Sequence, residues 1–122
     1  MSAFKTRTFQ RWAIKVGVTD AALLDAVAQM ERGLIDADLG GNLFKQRVAL
    51  PGRGKSGSTR AIIATRFAGV LFFLYGFEKN ERDNISAKEL LLYQRFAREL
   101  LSLSEDQIAT ALASQILLEV KR

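Results

Sequence analysis

The hydrophobic positions of this chain change period twice. Over residues 9–16 they fall at helical spacing, with Phe9, Trp12, Ala13 and Val16 on one side and Gly17 closing the segment. Thr19 then offers an N-cap with Asp20 in the first turn, and Leu23, Leu24, Val27 and Met30 make the apolar stripe of a second helix that stops at Gly33. Over residues 43–50 the pattern alternates instead. Phe44, Gln46, Val48 and Leu50 share one face, and Lys45, Arg47 and Ala49 share the other, which predicts a half-buried strand. Residues 60–67, rich in β-branched side chains, predict a second strand, Ala68-Gly69 a tight turn, and residues 70–77 a third strand apolar enough for the centre of a sheet.

Helical spacing returns after the polar break 78–84. Ser86 with Glu89 forms a capping box that opens a helix in which Leu92, Phe96, Leu100 and Leu103 repeat, and Ser104 with Gln107 opens a shorter one through Ile108 and Leu112. The tail 117–120 fits either helix or strand. Residues 4–8 predict a short edge strand. The expected fold is therefore α+β: a small antiparallel sheet, built from a three-stranded meander and that edge strand, with the N-terminal and C-terminal helices packed on one face. The 122 residues form one domain, with a core at about 40–103 and a C-terminal helical extension over 104–122.

Charge sharpens this picture. Residues 1–38 hold five basic and five acidic groups, and residues 78–122 hold seven and eight. Between Asp38 and Glu78 there is no acidic side chain, while Lys45, Arg47, Arg53, Lys55, Arg60 and Arg66 all lie there. The protein's net charge thus resides in its middle, and a basic field so localised implies a polyanionic partner. The period-two pattern projects Lys45 and Arg47 together from one strand face.

Several classes of chemistry are excluded. The chain has no cysteine, so it has no disulfide framework and no thiolate metal site. It has no histidine, which removes His-based triads and histidine-ligated zinc hydrolysis. No cofactor or metal is expected. The longest apolar run, residues 68–77, is about half of what a membrane-spanning helix requires. Arg11 and Lys15 interrupt any apolar signal segment near the N-terminus, so a soluble, cytoplasmic protein is expected.

Two motifs are imitations. Gly54-Lys55-Ser56 resembles the end of a Walker A cradle, but position 49 is alanine where the first glycine belongs. The residues that follow also read as a strand, whereas the cradle has to run into a helix N-terminus. With three glycines, residues 51–58 read instead as a flexible hairpin connection carrying Arg53 and Lys55. Residues 104–112 have the texture of the first helix of a helix-turn-helix, yet the segment after them is apolar and presents no basic recognition face.

Four blocks in order carry a resemblance: Phe44-Lys45-Gln46-Arg47-Val48-Ala49, Gly52-Arg53-Gly54-Lys55-Ser56-Gly57, Thr59-Arg60-Ala61-Ile62-Ile63, and Leu74-Tyr75-Gly76-Phe77-Glu78-Lys79-Asn80-Glu81-Arg82. Together they resemble the RelE/ParE superfamily of bacterial type II toxins, and within it the HigB-like branch, over about residues 40–103. The resemblance implies a toxin that enters the ribosome, cleaves messenger RNA there and is neutralised by a co-expressed helix-turn-helix antitoxin of the HigA kind. It implies catalytic roles for Lys45, Arg47, Arg60, Lys79 and Arg82, with Arg53, Lys55, Arg66 and Asn80 contacting RNA. Tyr75 is a further aromatic in the third strand, suited to packing or to stacking on a base. A ParE-like gyrase inhibitor and a non-catalytic nucleic-acid-binding module are the alternative functions.

Cleavage of this type uses the ribose 2′-hydroxyl as nucleophile, so a protein has only to orient it, neutralise the pentavalent phosphate and help protons move, which cations can largely do. Related toxins place a histidine, or a C-terminal tyrosine or aspartate, in the pocket. This chain has no histidine and no aromatic after Phe96.

Overall fold

The structure is a computed structural model that describes residues 1–50 and 59–122. Its elements run β1 (Ser2–Thr6), α1 (Arg7–Val16), α2 (Asp20–Glu31), β2 (Ala37–Gly40), β3 (Leu43–Val48), β4 (Thr59–Thr65), β5 (Val70–Glu78), α3 (Ala87–Leu101), α4 (Glu105–Ala113) and β6 (Leu117–Glu119). Each helix starts on a hydroxyl. Thr6, Thr19, Ser86 and Ser104 accept from the backbone N–H three residues on, which satisfies one of the donors a helix start leaves unpaired. Both expected capping boxes close, Ser86 with Glu89 and Ser104 with Gln107.

The α+β class stands, and the meander β3-β4-β5 is antiparallel as the alternation predicts. The sheet around it is larger and mixed. Among the described residues it has six strands in the order β2-β3-β4-β5-β1-β6. The expected edge strand is an interior one. β1 runs parallel to β5, with Phe4 opposite Phe72, and antiparallel to β6, with Thr6 opposite Leu117. Ala3, Phe4 and Lys5 are all buried, as a strand covered on both faces requires. Thr6 ends the strand because its hydroxyl is needed as the cap of α1, so the strand sits two residues earlier than the pattern suggests. The ambiguous tail becomes β6 because β1 needs a partner on its outer side.

Helices cover both faces of the sheet, not one. On one side α1 and α2 contribute Phe9, Ala13, Leu23, Val27 and Met30 to a core with Phe44, Val48, Ala61, Ile63 and Phe73. On the other side Leu90, Tyr93, Ala97 and Leu100 of α3 pack with Leu43, Ile62, Ala64, Phe72, Leu74 and Phe77. The inward stripe of α3 is therefore rotated from the Leu92/Phe96 line, and those two side chains are 45% and 42% exposed. Lys5 is buried and paired with Asp20 at 2.6 Å, and the second carboxylate oxygen of Asp20 accepts from the Lys121 N–H at 2.9 Å. One carboxylate thus ties β1, the start of α2 and the C-terminal residues together.

Two local features aim the sheet. Between β4 and β5 the register shifts after the Ile62–Tyr75 pair, so that Ile63 lies opposite Phe73. The extra residue places Leu74 and Tyr75 on the α3 side together, a consequence of a bulge interrupting strict alternation. Gly76 follows, facing α1, and a Cβ there would lie 2.2 Å from ring carbons of Trp12. Only glycine allows the indole to lie on the strand.

Candidate functional site

The ladder across β3, β4 and β5 sets the candidate cations out as two rungs. Lys45, Ile62 and Tyr75 are opposite one another, and Arg47, Arg60 and Phe77 form the next rung. Residues opposite one another on neighbouring strands share a face, and Ile62, Tyr75 and Phe77 belong to the α3-side core. Lys45, Arg47 and Arg60 therefore project from one face. Helix α3 crosses the other end of these strands, where the Gln94 amide donates to Leu39 O at 3.1 Å. Its Tyr93 stacks on Tyr75, at the β5 end of the Lys45 rung, with ring centres 5.4 Å apart.

The three cations have different surroundings. Arg47 is exposed. Arg60 is only 6% exposed; its Nη1 donates to Thr59 O at 3.1 Å and its Nε lies 3.4 Å from Asp36 Oδ2. Lys45 Nζ lies 4.0 Å from the same oxygen. The carboxylate is held in place by its backbone. Gln46, buried on the opposite face, accepts from the Asp36 N–H at 3.0 Å and donates to Leu34 O at 2.9 Å, clamping residues 34–36 against β3.

Arg82 reaches this face by a turn. The N–H groups of Glu81 and Arg82 both donate to Glu78 O, which folds the chain back over the end of β5. The guanidinium then sits 5.9 Å and 5.8 Å from the ring centres of Tyr75 and Phe77. It donates to Glu89 through both terminal nitrogens, at 2.5 and 3.1 Å, to Tyr75 Oη at 3.1 Å and, through Nε, to Asn84 O at 3.0 Å. These contacts make it a brace between the turn, β5 and α3. The hydrogen bonds from Arg82 and from the Ser86 backbone lower the Glu89 carboxyl from its ordinary 4.5 to about 2. The Glu89 hydrogen bond raises Arg82 in turn, while burial pushes the neighbouring Tyr93 hydroxyl up to about 12.

A pH dependence of stability follows, with a definite sign. A carboxyl depressed in the folded state contributes fully above about pH 4.5, its unfolded value, and the contribution fades as pH falls towards 2. Glu89→Gln should therefore destabilise the protein at pH 7 and make stability flatter between about pH 5 and 2.5, as read from urea midpoints at each pH. Equal slopes for the two proteins would show that the Arg82 brace carries no linked proton.

The other expected residues divide. Lys79 and Asn80 stand exposed on the turn that delivers Arg82. Arg66 belongs elsewhere. It follows β4 at the end opposite Arg60, about 20 Å away along the strand, and its Nη1 donates to Leu101 O at 3.0 Å, where it caps the C-terminus of α3. The basic interval therefore does not converge as one patch, because the five residues 61–65 of β4 separate Arg60 from Arg66. Arg53 and Lys55 lie outside the described residues. Reasoning from sequence missed Asp36, whose only signal was its place just before the basic interval, and it read Glu89 as a cap alone.

A model of one family, the RelE toxin of RelE/RelB toxin–antitoxin systems, matches residues 1–120. The chain belongs to the RelE toxin family. The matched residues take in β1, both N-terminal helices and β6 as well as the meander. A comparison with curated proteins gave no match. Membership of the RelE family makes the chain a toxin of a toxin–antitoxin system and implies an antitoxin partner. Among the described residues no helix is long and apolar enough to cross a membrane.

Proposed function

We propose that this RelE-family toxin is a ribosome-dependent endoribonuclease acting on messenger RNA in the cytoplasm, held in check by a helix-turn-helix antitoxin of the HigA kind. The observation that carries the reading is the placement of Lys45, Arg47 and Arg60 on adjacent rungs of one sheet face. Attack of the 2′-oxygen on the neighbouring phosphorus forms the O2′–P bond and breaks the P–O5′ bond. The products are a 2′,3′-cyclic phosphate and a 5′-hydroxyl. Negative charge grows on the phosphoryl oxygens as the phosphorus becomes pentavalent, and preorganised cations lower that barrier.

In this reading Arg60, fixed by Thr59 O and Asp36, holds the scissile phosphate, and the exposed Arg47 approaches it from the strand edge. Lys45 supplies the proton that the departing 5′-oxygen takes up, and the 2′-proton passes to solvent. Arg82 keeps Tyr75 and Phe77 in place as the pocket wall, with Lys79 and Asn80 on its rim. Arg53 and Lys55 extend the contact along the RNA backbone. With no histidine to act as base, the ribosome supplies much of the in-line geometry.

The test is to induce the toxin in cells and map RNA ends within minutes. Fresh 5′-hydroxyl ends inside translated messages are the expected result. A DNA-damage response with intact messages would instead select gyrase inhibition, and no growth arrest at all would leave a plain nucleic-acid-binding module.

A further inference from the structure

Asp36 is in ion-pair contact with both Lys45 and Arg60. It precedes β2, its carboxylate reaches across β3 to β4, and its backbone is locked by the buried Gln46 amide. Nothing about the fold requires an acid there. The clamp uses the backbone N–H of residue 36, which any residue but proline would supply, and the carbonyl of Leu34. The side chain is thus placed by the fold and spent on the two cations.

We propose that Asp36 is an internal counter-anion, occupying the position beside Arg60 and Lys45 that an RNA phosphate would take and holding down the affinity of the free toxin for RNA. This rests on the nuclease reading for its purpose and deepens it. RNA held only by its charge has to displace or tolerate the carboxylate, whereas RNA presented in a fixed path can engage the exposed Arg47 first. The device therefore favours presented RNA over free RNA. It differs from a purely positioning role, in which Asp36 would serve to orient Arg60 and its loss would weaken phosphate binding.

Two substitutions separate these roles. Asp36→Asn keeps an oxygen that can accept from Arg60 Nε and removes the charge, while Asp36→Ala removes both. Asp25→Asn, on the exposed side of α2, makes the same change in net charge away from the site. The probe is a fluorescein-labelled 12-nucleotide single-stranded RNA with 2′-O-methyl riboses, which cannot be cleaved, read by anisotropy over a range of salt.

Removing a like charge a few ångströms from a phosphate should tighten binding about fivefold at low salt for both Asp36 variants. The slope of log affinity against log salt should steepen by about 0.7, the increment for one more phosphate contact on a single strand. Asp25→Asn should stay within about twofold of the parent protein, since a surface charge away from the site is largely screened. Weaker binding by Asp36→Ala with unchanged Asp36→Asn would overturn the proposal in favour of positioning. Equal effects of Asp36→Asn and Asp25→Asn, or no measurable binding by any variant, would also end it. Cleavage on programmed ribosomes is scored separately, so loss of the nuclease reading is distinguishable from loss of this one.

Discussion

Replacing Lys45 and Arg47 together with alanine should lower messenger RNA cleavage on programmed ribosomes by about a hundredfold or more, with folding stability nearly unchanged. The size follows from what the two groups would do. Removing one preorganised donor from a site where charge develops typically costs about 10²–10³ in rate. The structural cost is small for reasons visible in the sheet. Arg47 is exposed, and Lys45 stands 4.0 Å from Asp36, a partly solvated pair of the kind that contributes about 1 kcal/mol or less. Both substitutions leave the buried face of β3, with Phe44, Gln46 and Val48, untouched. Single-turnover cleavage and a urea midpoint measured on the same preparation decide the matter. A loss below about threefold, against the hundredfold expected of catalytic donors, would remove this face from the mechanism.

Gly76→Ala should have the largest effect on stability, about 3 kcal/mol, which is the upper end of what overpacking usually costs. The added methyl would meet the six-membered ring of Trp12 at 2.2 Å, and that ring is itself held against Phe9, whose centroid is 5.4 Å away. Phe9 in turn packs on Phe73 at 5.2 Å and has no exposed surface, so the indole can retreat only by leaving α1's contact with β5. Adding Trp12→Leu to Gly76→Ala should recover part of the loss, giving a coupling between the two sites of more than about 0.5 kcal/mol. An unchanged urea midpoint for Gly76→Ala would mean that the strand and indole are not in contact. The position also matters to the site, since Gly76 lies between Tyr75 and Phe77, the two rings under Arg82.

How much of this was legible follows from the range of the forces involved. The four helices and the meander announce themselves locally, through hydroxyl caps and through periods of 3.6 and 2 that a short window contains. β2 and β6 do not. Ala37-Asp38-Leu39-Gly40 has low strand propensity, and it pairs with β3 because the Gln46 clamp and the turn at Gly41-Asn42 bring it there. β6 is three residues long and exists because β1 presents it with unpaired backbone groups. The place of β1 inside the sheet is a non-local fact, since its neighbours come from residues 70–73 and 117–119.

The site was legible in the same proportion. Alternation alone put Lys45 and Arg47 on one face, and the register of β4 added Arg60. Arg66 was expected with them because a charge count has no geometry, and the length of a strand carries it to the far end of the molecule. Asp36 stayed hidden because the strand after it was hidden. Arg82 was expected among the catalytic residues, and its donors go to Glu89, Tyr75 and Asn84, contacts that no spacing rule would reveal.

The position of β1 bears on when the sheet can be completed. Ser2 finds its parallel neighbour at Val70, and Thr6 finds its outer neighbour only at Leu117. A nascent chain that has exposed the whole cationic meander still has an unfinished sheet, and pairings so distant in sequence form slowly. The sheet therefore closes only when both distant segments have reached β1, and α1, which begins where β1 ends, takes its final place with them.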